Sequence, residues 1–166
     1  MKADATVALT LRGFDAGKKI NGRKRHLLTD PLGLLLAVLV TPASTTDRDA
    51  ARILLLSAKD RFERLARVWA DGGYTGHPID WSATQLGVVL DVVHRNDDTR
   101  GFQVLPRRWV VERSFAWCLR SRCLVRDYER RTDTSEAVIL WSMAMLMSRR
   151  LAARHQGRAP TAAKAA

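Results

Sequence analysis

The sequence predicts an α/β fold in which a mixed sheet is flanked by helices. Strand and turn signals come first along the chain, and segments with helical and strand periodicity then alternate. The chain has 166 residues, of which 46% are hydrophobic, enough for one domain with its own core. We expect one folded unit over residues 1–154. A tail over 155–166, rich in Ala and without large apolar groups, is expected to be disordered.

The segment 18–40 is predicted to form an antiparallel meander. Asn21-Gly22 is a strong signal for a two-residue hairpin, and Asp30-Pro31-Leu32-Gly33 marks a second turn. The run from Leu34 to Val40 has no polar alternation, so we expect a strand that is covered on both faces.

The first helix is predicted after Thr45-Thr46-Asp47, which is a typical helix start. Over residues 49–58, the spacing places Ala50, Ile53, Leu54 and Ser57 on one face. The next expected elements are a strand over 67–70, a helix over 79–86, a strand over 88–93, a polar loop over 96–101 and a helix over 107–122.

A last helix is predicted from Thr134 to Arg154. The residues at helical spacing on its expected core face are Val138, Trp141, Met145 and Ser148.

Charge points to a nucleic acid as the partner. The chain has 28 Lys and Arg residues against 17 Asp and Glu residues, a net charge of +11. Five cations crowd the predicted hairpin, where they can lie along a phosphate backbone without reading bases. They are Lys18, Lys19, Arg23, Lys24 and Arg25. The alternative is a solvated edge hairpin, because Lys on edge strands also deters aggregation.

Other classes of protein are disfavoured. The longest apolar run is too short to span a bilayer, and the amino terminus lacks the apolar stretch of a signal peptide. Cys118 and Cys123 have neither zinc-ligand spacing nor the pattern of a disulfide framework. A cytoplasmic protein without a membrane partner is therefore expected.

Two carboxylates are candidate metal ligands. Asp71 follows the predicted strand 67–70 and precedes Gly72-Gly73, a position where α/β sheets place ligands. The alternative is that Asp71 only accepts a hydrogen bond within the turn. Glu112 lies on a predicted helix, four residues after Arg108, so an ion pair between the two is one interpretation. The other is that Glu112 holds a metal ion while Arg108 holds a phosphate oxygen.

Four segments follow one another in a characteristic order. They are Gly13-Phe14-Asp15-Ala16-Gly17-Lys18-Lys19, Gly22-Arg23-Lys24-Arg25-His26, Ala70-Asp71-Gly72-Gly73-Tyr74-Thr75-Gly76 and Leu105-Pro106-Arg107-Arg108-Trp109-Val110-Val111-Glu112-Arg113. Together they resemble the catalytic domain of bacterial insertion-sequence transposases of the Asp/Asp/Glu type. The resemblance extends from Arg12 to Leu151. It implies a ribonuclease H-like fold, with Asp71 as the second catalytic carboxylate and Glu112 as the third. It also implies Mg²⁺ or Mn²⁺ as cofactor and DNA as partner.

The same resemblance places the first catalytic Asp a few residues before Met1. It therefore implies an incomplete first strand and a domain fragment that keeps DNA affinity but has little or no cleavage activity alone. The alternatives are a non-catalytic DNA-binding module, which competes with an intact transposase for DNA or for a dimer interface, and a decayed reading frame whose product folds poorly.

Overall fold

The structure, a computed structural model, describes Ala3, residues 7–93 and residues 106–156, with side-chain positions for all of these except 77, 78, 106–108 and 156. This part of the chain contains five β-strands and four α-helices. In order they are β1 Gly13–Asp15, β2 Ile20–Thr29, β3 Leu35–Pro42, α1 Asp47–Arg61, β4 Arg67–Ala70, α2 His77–Leu86, β5 Val89–Val92, α3 Pro106–Cys118 and α4 Thr132–Gln156. The predicted α/β fold class is confirmed. None of the helices described is long and apolar enough to cross a bilayer.

The strands run in both directions, as predicted, but they divide into two sheets. β1, β2 and β3 form an antiparallel sheet in that order, while β4 and β5 form a parallel pair. Within the ranges described, no ladder of hydrogen bonds joins the two sheets.

The turn predicted at Asp30-Pro31-Leu32-Gly33 is confirmed, and the hairpin predicted at Asn21-Gly22 is wrong. The Asp30 carboxylate accepts a bond from the Leu34 amide at 2.7 Å, and Gly33 has a φ of 80°. Asn21 and Gly22 instead lie inside β2, paired with β1. The β1–β2 turn spans residues 16–19, where Lys19 adopts a φ of 52°. At these two residues, pairing with β1 overrides the local preference for a turn.

Strand β3 is covered on both faces, as its unbroken apolar run predicts. On one face, Ala37 packs in a cluster with Leu54 and Leu55 of α1. On the other, Val40 packs in a cluster with Ile139 of α4. The first cluster also includes Val68 and Leu90, so it connects the two sheets through α1.

The existence of two predicted helices is confirmed, and their predicted faces are confirmed in part. Ala50 and Leu54 of α1 are buried as predicted, and Val138 of α4 packs against the core, but other residues of the predicted faces do not. Ile53 is 52% exposed and Trp141 is 72% exposed. The buried residues are Ala50, Ala51, Leu54, Leu55 and Ala58 in α1, and Ser135, Ile139 and Met143 in α4. Each helix carries apolar residues over more than one face, so helical spacing alone does not select the one that packs.

Several predicted boundaries move by a few residues. Helix α1 begins where expected, with the Thr46 hydroxyl accepting a bond from the Asp49 amide at 3.2 Å. Helix α3 ends at Cys118, before the predicted 122, and α4 continues to Gln156, into the predicted tail. The predicted loop 96–101 and the tail residues 157–166 lie outside the described residues.

Arg23 joins β2 to the segment that leads into α4. Its side chain is 1% exposed, and its guanidinium donates to the carbonyl oxygens of Leu11, Glu129 and Arg130 at 3.1, 2.9 and 2.8 Å. A carboxylate oxygen of Asp127, also 1% exposed, lies 3.4 Å from the guanidinium. Carbonyl acceptors and an opposite charge together offset the cost of burying this cation.

Replacing Arg23 with Ala is expected to lower the free energy of unfolding by about 3 to 5 kcal/mol, because Asp127 would remain buried without its counter-charge. Equilibrium denaturation in urea measures this. The control is Arg67→Ala, since Arg67 and Asp91 form an exposed pair at 3.0 Å. That change should cost less than about 1 kcal/mol. Equal losses in the two variants would contradict the structural role of Arg23.

Candidate active site

A cavity of about 260 Å³ lies between β2 and β4. Helix α1 covers one side of the cavity, and α3 covers another. Most of its lining comes from four elements, namely Arg25, His26, Leu27 and Leu28 of β2, Ala51, Leu54 and Leu55 of α1, Val68, Trp69 and Ala70 of β4, and Val111, Glu112 and Phe115 of α3. Asp71, Tyr74, Leu90 and Val93 complete the lining. Both candidate carboxylates, Asp71 and Glu112, therefore border one cavity.

Asp71 stands directly after β4 and caps the short helical turn Gly72–Tyr74. Its Oδ1 atom accepts a hydrogen bond from the Gly73 amide at 3.1 Å. The turn interaction offered as the alternative is thus present. It uses one carboxylate oxygen, so it is compatible with metal binding through the other.

Glu112 reaches the cavity from α3. Its side chain is exposed, and Val111 and Phe115 of the same helix provide apolar lining beside it. The side chain of Arg108 lies outside the described residues, so the Arg108–Glu112 ion pair and the phosphate contact both stay predictions.

Asp47 is a third carboxylate near Asp71 that the sequence analysis treated only as part of a helix start. A Cβ atom built on Gly73 would lie 3.2 Å from Asp71 Oδ1 and 3.4 Å from Asp47 Oδ2. The two carboxylates therefore flank the same glycine, where a side chain would crowd both. Lys24 Nζ lies 3.1 Å from Asp47 Oδ1 and partly balances its charge. No local sequence signal distinguishes Asp47 from an ordinary residue of a helix start, because its nearness to Asp71 arises only when α1 and the Asp71 turn pack together.

Tyr74 is the most strongly perturbed titratable group of the cavity lining. Burial, together with the negative charges of Asp47 and Asp71, raises the pKa of its phenol to about 12. The neutral phenol is therefore favoured in the folded protein.

The residues that the structure describes contain no group of three or more His, Cys, Asp or Glu side chains placed to hold one metal ion. Two carboxylates at one cavity still suit Mg²⁺, which retains several waters and needs few protein ligands.

The five cations predicted to contact DNA have different environments. Lys18 and Lys19 are exposed in the β1–β2 turn. Lys24 is bound by Asp47 and by the Thr45 carbonyl oxygen at 2.9 Å. Arg25 is half-buried, which lowers its pKa, and it donates to the Leu124 carbonyl oxygen at 2.8 Å. Arg23 is buried and holds the fold together, so a DNA surface that includes it does not fit this structure.

The chain matches a protein family and a curated relative, and the two matches agree with each other. Residues 3–147 match the family described as Transposase DDE domain. A curated relative, the putative transposase for insertion sequence element IS402 of Burkholderia cepacia, is 30% identical over 125 residues. This match covers 71% of the chain and 59% of the relative, so the chain spans a little over half of the relative's length. None of the solved structures matches the chain significantly.

The phenol of Tyr74 should make stability depend on pH in the alkaline range. Since its folded-state pKa is raised to about 12, the unfolded chain loses this proton first, above a pH of about 10. The free energy of unfolding should then fall by about 2 to 3 kcal/mol between pH values of about 10 and 12.

Urea denaturation across this range should show that Tyr74→Phe removes that part of the pH dependence. The variant Tyr128→Phe, at a half-exposed tyrosine, is the control and should keep it. Identical pH profiles for the Tyr74 variant and the unmodified chain would contradict the assignment.

Proposed function

Since this chain belongs to the family of transposases with a DDE domain, we propose that it supports DNA transposition through metal-dependent cleavage and transfer of phosphodiester bonds. The main support is that Asp71 and Glu112, from separate elements, line one cavity in a chain of net charge +11. Carboxylates bind divalent cations, and the excess of cationic residues attracts the DNA polyanion.

We propose that Asp71 and Glu112 hold Mg²⁺, or Mn²⁺ in its place. A bound divalent ion would activate water or a 3′ hydroxyl and stabilise the leaving oxygen of the phosphodiester. Asp71 is held for this by its bond to the Gly73 amide, and Glu112 lines the same cavity beside Val111 and Phe115 of α3. Arg108, four residues before Glu112, is proposed to contact a phosphate oxygen.

Cleavage by this chain alone is expected to be weak. Two-metal phosphoryl transfer requires ligands that fix two ions about 3.5 to 4 Å apart. Two carboxylates at the cavity position one ion more readily than two. Assembly with an intact transposase or with further copies of the chain would then determine activity.

Lys18 and Lys19 are proposed to contact the DNA backbone. They lie exposed in a turn, and such lysines bind phosphates without reading bases. Lys24 and Arg25 donate hydrogen bonds to acceptors within the protein. They therefore add to the positive charge that attracts DNA but do not contact the DNA backbone directly.

The second candidate function is a non-catalytic DNA-binding module. It is favoured by the exposed lysines of the β1–β2 turn, Lys18 and Lys19, which can bind phosphates whether or not a metal ion is held. The two functions differ in whether phosphodiester bonds are broken, so one assay separates them.

Nicking of supercoiled plasmid DNA should require Mg²⁺ or Mn²⁺. It should fall more than about a hundredfold in Asp71→Asn and in Glu112→Gln, because each variant loses a carboxylate that is proposed to hold the metal ion. Each tenfold loss corresponds to about 1.36 kcal/mol of transition-state stabilisation. Asp91→Asn is the control, since Asp91 pairs with Arg67 away from the cavity lining. Binding without any nicking would favour the non-catalytic module, and nicking that survives both site variants would contradict the assignment.

The double variant Lys18→Ala/Lys19→Ala should bind DNA more weakly and reduce the slope of log K against log salt concentration by about 1 to 2. Fluorescence anisotropy with labelled duplex DNA at several salt concentrations measures this. Arg61→Ala/Arg64→Ala removes the same charge at and just after the carboxyl-terminal end of α1, where both side chains are exposed. Equal slopes for the two double variants would place the DNA contact elsewhere.

A further inference from the structure

The connection between α3 and α4, residues 119–131, is rich in exposed arginine. This connecting segment contains five Arg residues against two acidic residues, Asp127 and Glu129. Asp127 is 1% exposed and lies beside Arg23, and Glu129 is half-buried. The arginine side chains are all exposed, and they are Arg120, Arg122, Arg126, Arg130 and Arg131. The charge that the connecting segment presents to solvent is therefore positive.

Two cations of β2 hold the connecting segment in place. Arg23 donates to the carbonyl oxygens of Glu129 and Arg130 at 2.9 and 2.8 Å. Arg25 donates to the carbonyl oxygen of Leu124 at 2.8 Å, and the Leu124 side chain is buried in the core. The backbone is thus anchored in both halves of the segment, while the arginine side chains extend from it into solvent. An anchored backbone loses less conformational entropy when a ligand binds.

The exposed arginines are only partly balanced by charges within the protein. Arg131 pairs with Asp133 at 2.6 Å. Within the ranges described, no carboxylate forms an ion pair with Arg120, Arg122 or Arg130. Like charges grouped on one short segment repel one another, and a bound polyanion offsets this repulsion. The connecting segment therefore suits an anionic ligand.

The chemistry of arginine indicates which anion this is. The planar guanidinium group can donate two parallel hydrogen bonds to one phosphate group. A DNA duplex repeats its phosphates at a regular spacing, so several arginines of one segment can bind it together. Such contacts position a duplex without reading its bases. Since the chain belongs to a transposase family, the observations favour DNA over an acidic protein surface.

The connecting segment begins close to the candidate site. Glu112 lies six residues before Cys118, the last residue of α3, which corresponds to about 9 Å along the helix axis. Arg120 follows Cys118 by two residues. One helical turn of duplex DNA is about 34 Å long. A duplex that reaches Glu112 is therefore long enough to contact the connecting segment as well.

We propose that the connecting segment is a binding surface for the DNA backbone, on which Arg120, Arg122 and Arg130 bind phosphates of a duplex. Arg23 and Arg25 then serve DNA binding indirectly, as positioning residues that anchor the segment. The proposal rests on DNA as the partner in the proposed function, and it is independent of cleavage.

The double variant Arg120→Ala/Arg122→Ala tests this in the full chain. Fluorescence anisotropy with labelled duplex DNA at several salt concentrations should show that the slope of log K against log salt concentration falls by about 2, because two phosphate contacts are lost. The matched control is Arg61→Ala/Arg64→Ala, which removes the same charge from exposed positions at and just after the end of α1. Its slope should stay close to that of the unmodified chain.

A second variant separates phosphate contact from overall charge. Arg120→Lys/Arg122→Lys keeps both positive charges, so the salt slope should be unchanged. Affinity should still fall by about fivefold, because an ammonium group does not form the two parallel bonds of a guanidinium group. Circular dichroism checks that each variant is folded, and the lysine variant carries the test if the alanine variant is not.

Three results would overturn the proposal. They are an unchanged slope in the alanine variant, an equal loss of slope in the control, and binding of an acidic peptide such as poly-aspartate as tightly as duplex DNA at the same ionic strength. Nicking of DNA with an unchanged slope in the alanine variant would leave the proposed catalysis standing and remove this surface. Salt-sensitive binding through these arginines without any nicking would support the surface and contradict catalysis.

Discussion

The buried guanidinium of Arg23 fixes the relation between the antiparallel sheet and the carboxyl-terminal helix. It donates to the backbone carbonyls of Glu129 and Arg130, more than a hundred residues further along the chain, and lies beside Asp127. Each of these groups would be costly to bury alone. Since the segment 127–131 leads directly into α4, this one side chain sets where α4 begins and lets Ile139 pack against β3. The burial of β3 on its second face depends on that placement.

The candidate site is assembled from elements that the core holds in place. Asp71 stands at the end of β4, Glu112 projects from α3, and Asp47 begins α1. These elements meet because α1 packs against both sheets, through Leu54 and Leu55. The site therefore has a long-range origin, and its carboxylates converge only in the folded chain. Lys24 belongs to the basic segment of β2, but its ammonium group pairs with Asp47 and so partly balances the negative charge of the acidic site.

Local signals predicted the parts of the fold that local interactions decide. Asp30 and Gly33 specify their turn, Thr46 caps its helix, and the apolar run of β3 requires cover on both faces. Packing between distant segments determined the features that local signals predicted wrongly. Asn21 and Gly22 lie in a strand because β1 pairs with them, and Trp141 is exposed because Ile139 and Met143 face the sheet. For the site, the sequence predicted Asp71 and Glu112, and both line the cavity, whereas their catalytic roles stay predictions. The burial of Arg23 and the nearness of Asp47 depend on distant partners, which local spacing does not reveal.

The division into two sheets has a mechanical consequence. Helix α1 contacts both sheets through Leu54 and Leu55, so it is the element on which their relative placement depends. The same two leucines line the cavity that Asp71 and Glu112 border. A substitution that alters the packing of α1 would therefore also alter the surroundings of the acidic groups.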